Sequence, residues 1–214
     1  MEKSPKMKIC HILSTGGFSG AENIVIEIIK SSQHEHIYCS PDGLINEYLK
    51  SENVEHFVIS KICIKEIKRI IYTLKPDIIQ AHDFKASIVV AFVYPKCYLI
   101  SHLHNNPQFI KRWNLKSILC KLFLNRFDKI IAVSNSIINE AVFLKNVKDK
   151  ISVIENFVNV NKLGSTCSQK EYDVAFFGRL ADQKNPERFI LLVSILKTVF
   201  PNIKAIMIGS GDLY

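Results

Sequence analysis

Two segments of the chain carry residues suited to binding phosphate. The first is a glycine turn, Gly16-Gly17-Phe18-Ser19-Gly20, which follows an apolar run and precedes a helical pattern. Glycines in such a turn let backbone N–H groups approach an anion, and the helix N-terminus adds partial positive charge. The spacing differs from G-x-G-x-x-G, so a dinucleotide site is not favoured. The alternative is a tight turn that binds nothing.

The second segment places two cations close together in a loop. Arg179 and Lys184 lie five residues apart, after a predicted strand at 173–177 and before a helix that begins at Pro186. Ligands of parallel sheets bind at the carboxyl ends of the strands, where this loop begins. An Arg supplies a planar fork and a Lys a point charge, which together suit a diphosphate. The alternative is two solvated surface cations.

The elements that would position these residues alternate along the chain. Short apolar runs are followed by helical patterns, which is typical of an α/β fold with a doubly wound, Rossmann-like parallel sheet. Because helices cover both faces of such a sheet, its strands should be apolar throughout. The predicted strands are residues 8–13, 36–39, 54–59, 78–81, 98–102, 130–133, 151–154, 173–177 and 205–208, and the predicted helices include 44–50, 64–74, 87–93, 115–127, 137–144 and 186–200.

A polar stretch divides the chain into a complete and an incomplete domain. Residues 1–160 form the predicted first domain, 161–171 the linker, and 172–214 the start of a second Rossmann-like domain. One βαβ unit of about 40 residues is below the size that usually folds alone. We therefore expect the second part to need further chain or a partner surface.

Composition narrows the class of protein. The chain is 48% hydrophobic and 22% charged, which is ordinary for a globular protein. The longest apolar run, residues 88–94, is too short to span a bilayer, and no signal-peptide pattern is present, so we expect a cytoplasmic protein. The six cysteines include no C-x-x-C pair, so neither a zinc site nor a disulfide framework is predicted. The net charge of +8 comes without a nucleic-acid readout element, so no nucleic-acid partner is expected.

The positive charge concentrates around a predicted amphipathic helix. Residues 85–150 contain eleven Lys or Arg against three Asp or Glu. One interpretation packs the apolar face of the segment 111–129 on its own domain and leaves the basic side in solvent. The other places this segment against an anionic membrane surface or another polyanion. The predicted apolar face consists of Leu115, Ile118, Leu119, Leu122 and Phe123, with Lys116, Lys121 and Arg126 off it.

Seven motifs, in this order along the chain, resemble those of the family-4 glycosyltransferases of the two-domain GT-B class. Each is modest alone, and their shared order makes coincidence a poor explanation. The motifs are Gly16-Gly17 with Gly20-Ala21-Glu22, Pro76-Asp77-Ile78-Ile79-Gln80-Ala81-His82-Asp83, Leu99 to His104-Asn105, Asp128-Lys129-Ile130-Ile131-Ala132-Val133-Ser134, Ile154-Glu155-Asn156-Phe157-Val158, the Arg179/Lys184 loop, and Ile208-Gly209-Ser210-Gly211.

The resemblance implies roles for particular residues in a GT-B fold, whose first domain mainly holds the acceptor and whose second holds the nucleotide-sugar. Gly16 and Gly17 match a loop whose backbone approaches the donor phosphates. Arg179 and Lys184 match the pair that binds the diphosphate and stabilises the leaving group, so no metal and no other cofactor is implied. His104 matches the histidine that faces the reacting sugar, with a structural role as the alternative.

The chain departs from the family pattern after residues 205–208. The family's two glutamates, spaced E-x7-E, lie beyond that strand, and the sequence ends before them. His82 and Asp83 either lie near the acceptor or cap the end of a strand.

The resemblance implies a retaining hexosyltransferase that uses a nucleotide-sugar and a saccharide or lipid-linked acceptor in surface polysaccharide synthesis. We expect these 214 residues to be a fragment that is inactive alone. The alternative is a non-catalytic acceptor-binding subunit of a split glycosyltransferase, completed by a second chain. The expected location is the cytoplasm, with peripheral contact between residues 111–129 and the inner membrane face.

Overall fold

The structure is a computed structural model that describes residues 5–157, 171–211 and 213. The chain divides into two compact units, Met1–Asn159 and Val160–Tyr214, called unit 1 and unit 2 below. The predicted linker at 161–171 lies outside the described residues apart from Glu171. The predicted domain boundaries therefore stay predictions.

Unit 1 is built on a parallel sheet of seven strands. The strands are β1 (Lys8–Ile12), β2 (Glu35–Pro41), β3 (His56–Ile59), β4 (Ile78–Ala81), β5 (Tyr98–Leu103), β6 (Lys129–Ala132) and β7 (Ile151–Val153). They lie in the order β3-β2-β1-β4-β5-β6-β7, with every neighbouring pair parallel. The predicted doubly wound α/β fold is confirmed, and the carboxyl ends of all seven strands share one edge.

Side-chain caps mark the starts of two connecting helices. The Asp83 carboxylate accepts a hydrogen bond from the Ala86 N–H at the start of one helix, and Asn114 and Ser117 form a capping box at the start of another. Among the described residues, no helix combines the length and apolar character needed to cross a membrane. The helices of unit 1 are α1 (Gly20–Ser31), α2 (Ile45–Ser51), α3 (Ile64–Leu74), α4 (Phe84–Val93), α5 (Leu115–Leu124) and α6 (Asn135–Glu140).

The two faces of the sheet differ in chemistry. On the first, called the apolar face, side chains such as Ile12, Ile79 and Leu99 are buried in one large cluster with residues of α3, α4 and α5. On the second, a smaller cluster joins Tyr38 of β2 to residues of α1 and α2. Burial of apolar surface on both faces supplies the main driving force for folding this unit.

Polar side chains also lie on the second face, called the histidine face. Side chains alternate between the faces of a strand, and the register aligns His11 of β1 with Gln80 of β4. The expectation that the strands are apolar throughout is therefore wrong for β1, β2, β4 and β5. Buried polar groups are tolerated there because most of them hydrogen-bond to one another. They are His36, His11, Gln80, His82, His102 and His104.

Helix α5 forms as predicted but turns a different face inward. Its buried residues are Ser117, Cys120 and Leu124. Leu115 and Leu122, which the sequence analysis places on the packed face, are 74% and 62% exposed. Small side chains at Ser117 and Cys120 let the helix pack closely against the rest of the unit, and the larger leucines remain outside. The interpretation that this apolar face packs on its own domain therefore holds for Phe123 and is wrong for Leu115 and Leu122.

The part of unit 2 that the structure describes forms one βαβ element, as predicted. Strands β8 (Val174–Phe177) and β9 (Ala205–Ile208) pair in parallel and are connected through α7 (Pro186–Val199). Asn185 caps α7 by accepting a hydrogen bond from the Arg188 N–H. The described part of the unit leaves many apolar side chains exposed, which is typical of an interaction surface. They include Phe177, Ile190, Leu191, Leu192, Ile195, Val199 and Ile208.

Three aspartates fix the amino ends of neighbouring strands in both units. Asp77, Asp128 and Asp173 stand just before β4, β6 and β8. Their carboxylates accept hydrogen bonds of 2.8 Å from the backbone N–H groups of Lys8, Leu99 and Lys204, at the start of the adjoining strands. The backbone N–H of each aspartate donates back to the carbonyl of the same residue. Each pair of bonds therefore sets which residues of the two strands lie side by side.

Candidate functional site

Four histidines form a continuous row across β2, β1, β4 and β5 near the carboxyl edge of the sheet. His36 Nδ1 lies 2.8 Å from His11 Nε2, and His11 Nδ1 lies 2.9 Å from His82 Nε2. His82 Nδ1 lies 3.2 Å from His104 Nε2. A neutral imidazole donates through one nitrogen and accepts through the other, so the three bonds can all run in one direction. Five of the seven histidines of the chain belong to this region, which we call the histidine row: His36, His11, His82, His102 and His104.

His102 joins the row from β5. Its ring lies 4.1 Å from that of His104, centroid to centroid, and its Nδ1 lies 3.1 Å from the side-chain nitrogen of Gln80. Among the described residues, His102 Nε2 and His104 Nδ1 are buried and have no hydrogen-bond partner. Two imidazole nitrogens are therefore available for a ligand inside the sheet edge.

Burial lowers the pKa of each histidine in the row, because removing the ring from water disfavours its charged form. The pKa falls to about 3 for His11 and His102 and to about 4 for His104. For His82 the pKa lies well below its ordinary value, with burial first and the neighbouring histidines second as causes. The pKa of His36 is lowered as well, again mainly by burial. At neutral pH these rings are uncharged and keep a lone pair for accepting a proton or binding a metal ion.

The structure places His82 and Asp83 directly after β4. His82 is 2% exposed, and both its ring nitrogens lie within hydrogen-bond distance of other histidines. The carboxylate of Asp83 accepts from the N–H groups of Ser14 and Ala86, at 3.0 and 2.8 Å. Asp83 therefore caps α4 and joins the end of β4 to the loop after β1, and its predicted place near the acceptor stays a prediction.

The glycine turn after β1 contains two unlike positions. A Cβ on Gly16 would lie 2.3 Å from the carbonyl oxygen of Asp42, so close backbone packing requires glycine there. The Gly16 carbonyl accepts a hydrogen bond from the Ile45 N–H at the start of α2. A Cβ on Gly17 would meet only the Thr15 hydroxyl, at 3.8 Å, so the space beside Gly17 is open.

The cationic loop of unit 2 follows β8. Arg179 and Lys184 are both exposed, and residues 182–184 form a short 3-10 turn before α7. The glycines after β9 pack against this loop. A Cβ on Gly209 would lie 1.8 Å from the carbonyl oxygen of Gly178, and a Cβ on Gly211 would lie 2.2 Å from the carbonyl oxygen of Leu180. The Leu180 N–H donates to the Ser210 carbonyl at 2.9 Å. Close packing of the two loops thus fixes the backbone on either side of Arg179.

The sequence pattern predicts some of these positions and not others. His82, Asp83 and His104 were predicted, and the structure brings His82 and His104 together. His11, His36 and Gln80 were not singled out, and His102 was treated only as part of its strand. The spacing of His102 and His104, two residues apart on one face of β5, is the signal that could have indicated a histidine row.

The chain is similar to a known protein family and to a curated protein. The family model described as Glycosyltransferase Family 4 matches residues 33–162. An uncharacterized glycosyltransferase of Methanocaldococcus jannaschii is 29% identical over 196 residues, which is 79% of this chain and 48% of that protein. The chain therefore spans about half the length of this curated relative.

Solved structures of two further proteins share the fold. HepE of Anabaena, determined in complex with UDP and glucose, aligns with a TM-score of 0.77 at 20% identity over 96% of this chain and 61% of HepE. A glycosyltransferase of Rickettsia africae aligns with a TM-score of 0.66 at 16% identity over 98% of this chain and 69% of that protein. At these identities the structural likeness establishes the fold alone.

Proposed function

This chain belongs to glycosyltransferase family 4, and we propose that the whole protein transfers a hexosyl group, with retention of configuration, from a nucleotide-sugar to a saccharide or lipid-linked acceptor. The proposed process is surface polysaccharide assembly on the cytoplasmic side of the membrane. The observation that carries the proposal is the exposed Arg179/Lys184 loop at the carboxyl end of β8. The solved complexes of HepE with UDP and with UDP-glucose support a nucleotide-sugar as donor.

The proposed chemistry depends on charge that develops as the donor bond breaks. The leaving nucleotide diphosphate gains negative charge, which Arg179 and Lys184 offset without a metal ion. Gly17, whose Cβ position is open, offers its backbone to the donor phosphates, and Gly16 holds the turn in place. His104 faces the reacting sugar with its Nδ1, which has no hydrogen-bond partner among the described residues. Asp83 is proposed near the acceptor, and any part that His82 has there is indirect, because its ring nitrogens contact other histidines.

The donor-phosphate assignment can be tested by titrating UDP into the ¹⁵N-labelled chain. We expect the amide signals of residues 178–185 to shift. A charge-assisted hydrogen bond contributes about 1.5–3 kcal/mol, so Arg179→Ala and Lys184→Ala should each weaken UDP binding at least about tenfold. Lys197→Ala, which removes an exposed lysine near the other end of α7, is the matched control. Equal affinity in all variants, or an equal loss in the control, would contradict the assignment.

We propose that the 214-residue chain does not catalyse sugar transfer alone. The donor-site carboxylates that the family resemblance implies lie beyond β9, so we expect no transfer by this chain alone from UDP-glucose, UDP-N-acetylglucosamine or GDP-mannose. Radiolabel incorporation into a lipid or saccharide acceptor is the measurement. Measurable transfer by the purified chain would show that the proposal of an inactive fragment is wrong.

A membrane surface is the proposed partner of the segment 111–129. Leu115 and Leu122 are exposed, and so are Lys116 and Lys121 on the same helix. Apolar side chains flanked by cations favour the interface of an anionic membrane. The Nζ atom of Lys121 also lies 5.3 Å from the centroid of the Trp113 ring, and Trp113 is itself exposed. Burial of the leucines in the lipid boundary would explain why this face of α5 does not pack inward.

Vesicle sedimentation tests this surface. The chain should bind vesicles containing phosphatidylglycerol more tightly than pure phosphatidylcholine vesicles. Leu115→Ser with Leu122→Ser should reduce that binding at least about tenfold, because each buried CH₂ contributes about 0.8 kcal/mol. Leu44→Ser, which removes an 83% exposed leucine elsewhere in unit 1, is the control. No preference for anionic vesicles, or the same reduction in the control, would rule out the membrane contact.

A second candidate function is that of a non-catalytic subunit completed by another chain. The exposed apolar side chains of α7, such as Ile190, Leu191 and Val199, favour it because they offer a surface for such a partner. Co-purification from the native host, followed by sequencing of the bound chain, is the test. A partner carrying E-x7-E would support this function, and a well-folded monomer would argue against it.

A further inference from the structure

Three imidazoles of the histidine row converge at the carboxyl edge of the sheet. His82, His102 and His104 each offer one ring nitrogen, and these three atoms lie within 4.8 Å of one another. His82 and His102 are buried, and His104 is partly buried. Neutral imidazoles in a group of three provide the ligand type that Zn²⁺, Ni²⁺ and Cu²⁺ prefer, whereas Mg²⁺ and Ca²⁺ prefer oxygen.

We propose that His82, His102 and His104 form a binding site for a divalent transition-metal ion of the Zn²⁺ type. Three histidines with an open fourth position are an established coordination set for zinc. The ion would lie within unit 1 and connect the end of β4 to the end of β5. It takes no part in stabilising the donor diphosphate, which stays with Arg179 and Lys184.

The spacing of the ring nitrogens suits a tetrahedral ion. Bonds of about 2.0 Å from a metal to two imidazole nitrogens place those nitrogens about 3.3 Å apart. His82 Nδ1 and His104 Nε2 lie 3.2 Å apart, close to that separation. His102 Nε2 is the third ligand. It is buried with no hydrogen-bond partner among the described residues, which costs free energy in a metal-free protein.

Surrounding residues hold two of these ligands in the orientation that metal binding requires. A metal-bound histidine usually donates its other ring N–H to a neighbouring acceptor. His82 Nε2 lies 2.9 Å from His11 Nδ1, and His11 continues the contact to His36. His102 Nδ1 lies 3.1 Å from the Gln80 amide. With that amide turned so that its oxygen faces the ring, Gln80 accepts the Nδ1 hydrogen and the Nε2 lone pair is left for the metal.

A carboxylate near the proposed site can offset the positive charge of the metal ion. Asp83 directly follows His82 and interacts electrostatically with His104. Its carboxylate is fixed by the N–H groups of Ser14 and Ala86. A negative group beside a site of three neutral ligands reduces the free energy needed to bury a divalent cation.

The test uses the tag-free 214-residue chain and competition with a chromophoric chelator. We expect about one equivalent of Zn²⁺ per chain, and no competition by Mg²⁺. His102→Gln should weaken Zn²⁺ binding at least about 100-fold, and His11→Gln, which removes a neighbour of a ligand, about tenfold. His34→Gln is the matched control, because His34 lies outside the histidine row and contacts the backbone of Met7. Co²⁺ should give the absorption spectrum of a four-coordinate site.

Thermal unfolding provides a second readout. A ligand that binds only the folded state raises its stability by RT ln(1 + [L]/Kd), so excess Zn²⁺ should raise the Tm of the wild type and of His34→Gln, and leave that of His102→Gln unchanged. If His102→Gln does not fold in metal-free buffer, His104→Gln takes its place. Absence of stoichiometric Zn²⁺ binding by the wild type, or an equal loss in His34→Gln, would overturn the proposal.

Discussion

The same strands of the seven-stranded sheet present two different surfaces. On the apolar face, Ile12, Ile79 and Leu99 pack into the large core with three helices. On the histidine face, residues an odd number of positions away along the chain form a hydrogen-bonded row near the carboxyl edge. Alternation of side chains along a strand lets each strand contribute to both surfaces. The larger apolar core and the histidine row thus lie on opposite faces of one sheet.

The difference also lies in how each face is stabilised. Burying apolar surface is favourable without any particular partner, at about 25 cal/mol per Å². A buried imidazole requires a hydrogen-bond partner or a ligand, and it resists becoming charged. The apolar face should therefore respond to changes of volume, and the histidine face to pH and to metal ions.

The largest effect is expected from a cavity on the apolar face. Ile79→Ala should lower the free energy of unfolding by about 2–5 kcal/mol, since Ile79 is fully buried in the large cluster. Leu122→Ala, at an exposed position on α5, should lower it by less than about 1 kcal/mol. Urea denaturation followed by circular dichroism measures both. A loss below 1 kcal/mol for Ile79→Ala would remove the contrast between the two faces.

An intermediate effect is expected from acid on the histidine face. The pKa of His11 is about 3 in the folded protein against 6.5 when unperturbed. The unfolded state therefore binds more protons below pH 6.5, and the stability of the folded state decreases as the pH is lowered. From pH 7 to about pH 5 this one ring should account for a loss of about 2 kcal/mol.

Two variants isolate this acid effect. His11→Gln should reduce the dependence of stability on pH. Ile79→Ala should lower stability at every pH and leave that dependence unchanged. Urea denaturation at a series of pH values is the measurement, and the same pH dependence in wild type and His11→Gln would contradict the assignment.

The smallest effect is expected at a polar pair on the apolar face. The hydroxyls of Ser87 on α4 and Ser101 on β5 are buried and lie 2.8 Å apart. Ser87→Ala leaves the Ser101 hydroxyl without this partner and should cost about 1 kcal/mol, while Ser87→Ala with Ser101→Ala should recover most of that loss. Urea denaturation of both variants is the measurement. A double variant less stable than Ser87→Ala would show that the apolar face depends on this pair.

Much of the fold could be predicted from local sequence patterns. Periodicity and stop signals gave α3 at Ile64–Leu74 and the strands Ile78–Ala81 and Ala205–Ile208 with the bounds that the structure shows. The inward face of α5 could not be found in this way. The apolar residues follow one helical stripe, but Ser117 and Cys120 pack inward because small side chains allow close contact.

The candidate site was predictable in part. His82 and His104 were found because each follows an apolar strand. The row itself depends on β1 lying between β2 and β4, and on the register that aligns His11 with Gln80. Neighbouring strands in this sheet are distant in sequence, so no local pattern reports which side chains meet. Close packing against the Asp42 backbone explains why residue 16 is glycine, and the predicted part of Gly16 in phosphate binding stays a prediction.

The three aspartates before β4, β6 and β8 affect how the sheet opens. Backbone N–H groups at the amino end of a strand normally exchange with solvent deuterium early, because fraying exposes them. At Lys8, Leu99 and Lys204 a carboxylate holds the N–H, so these amides should exchange slowly despite their position. Alanine at Asp77 should speed exchange at Lys8 and extend protection loss along β1 toward His11. Local opening of the sheet would then begin at the amino ends of the strands. The histidines lie at the opposite, carboxyl edge, so opening would reach them last.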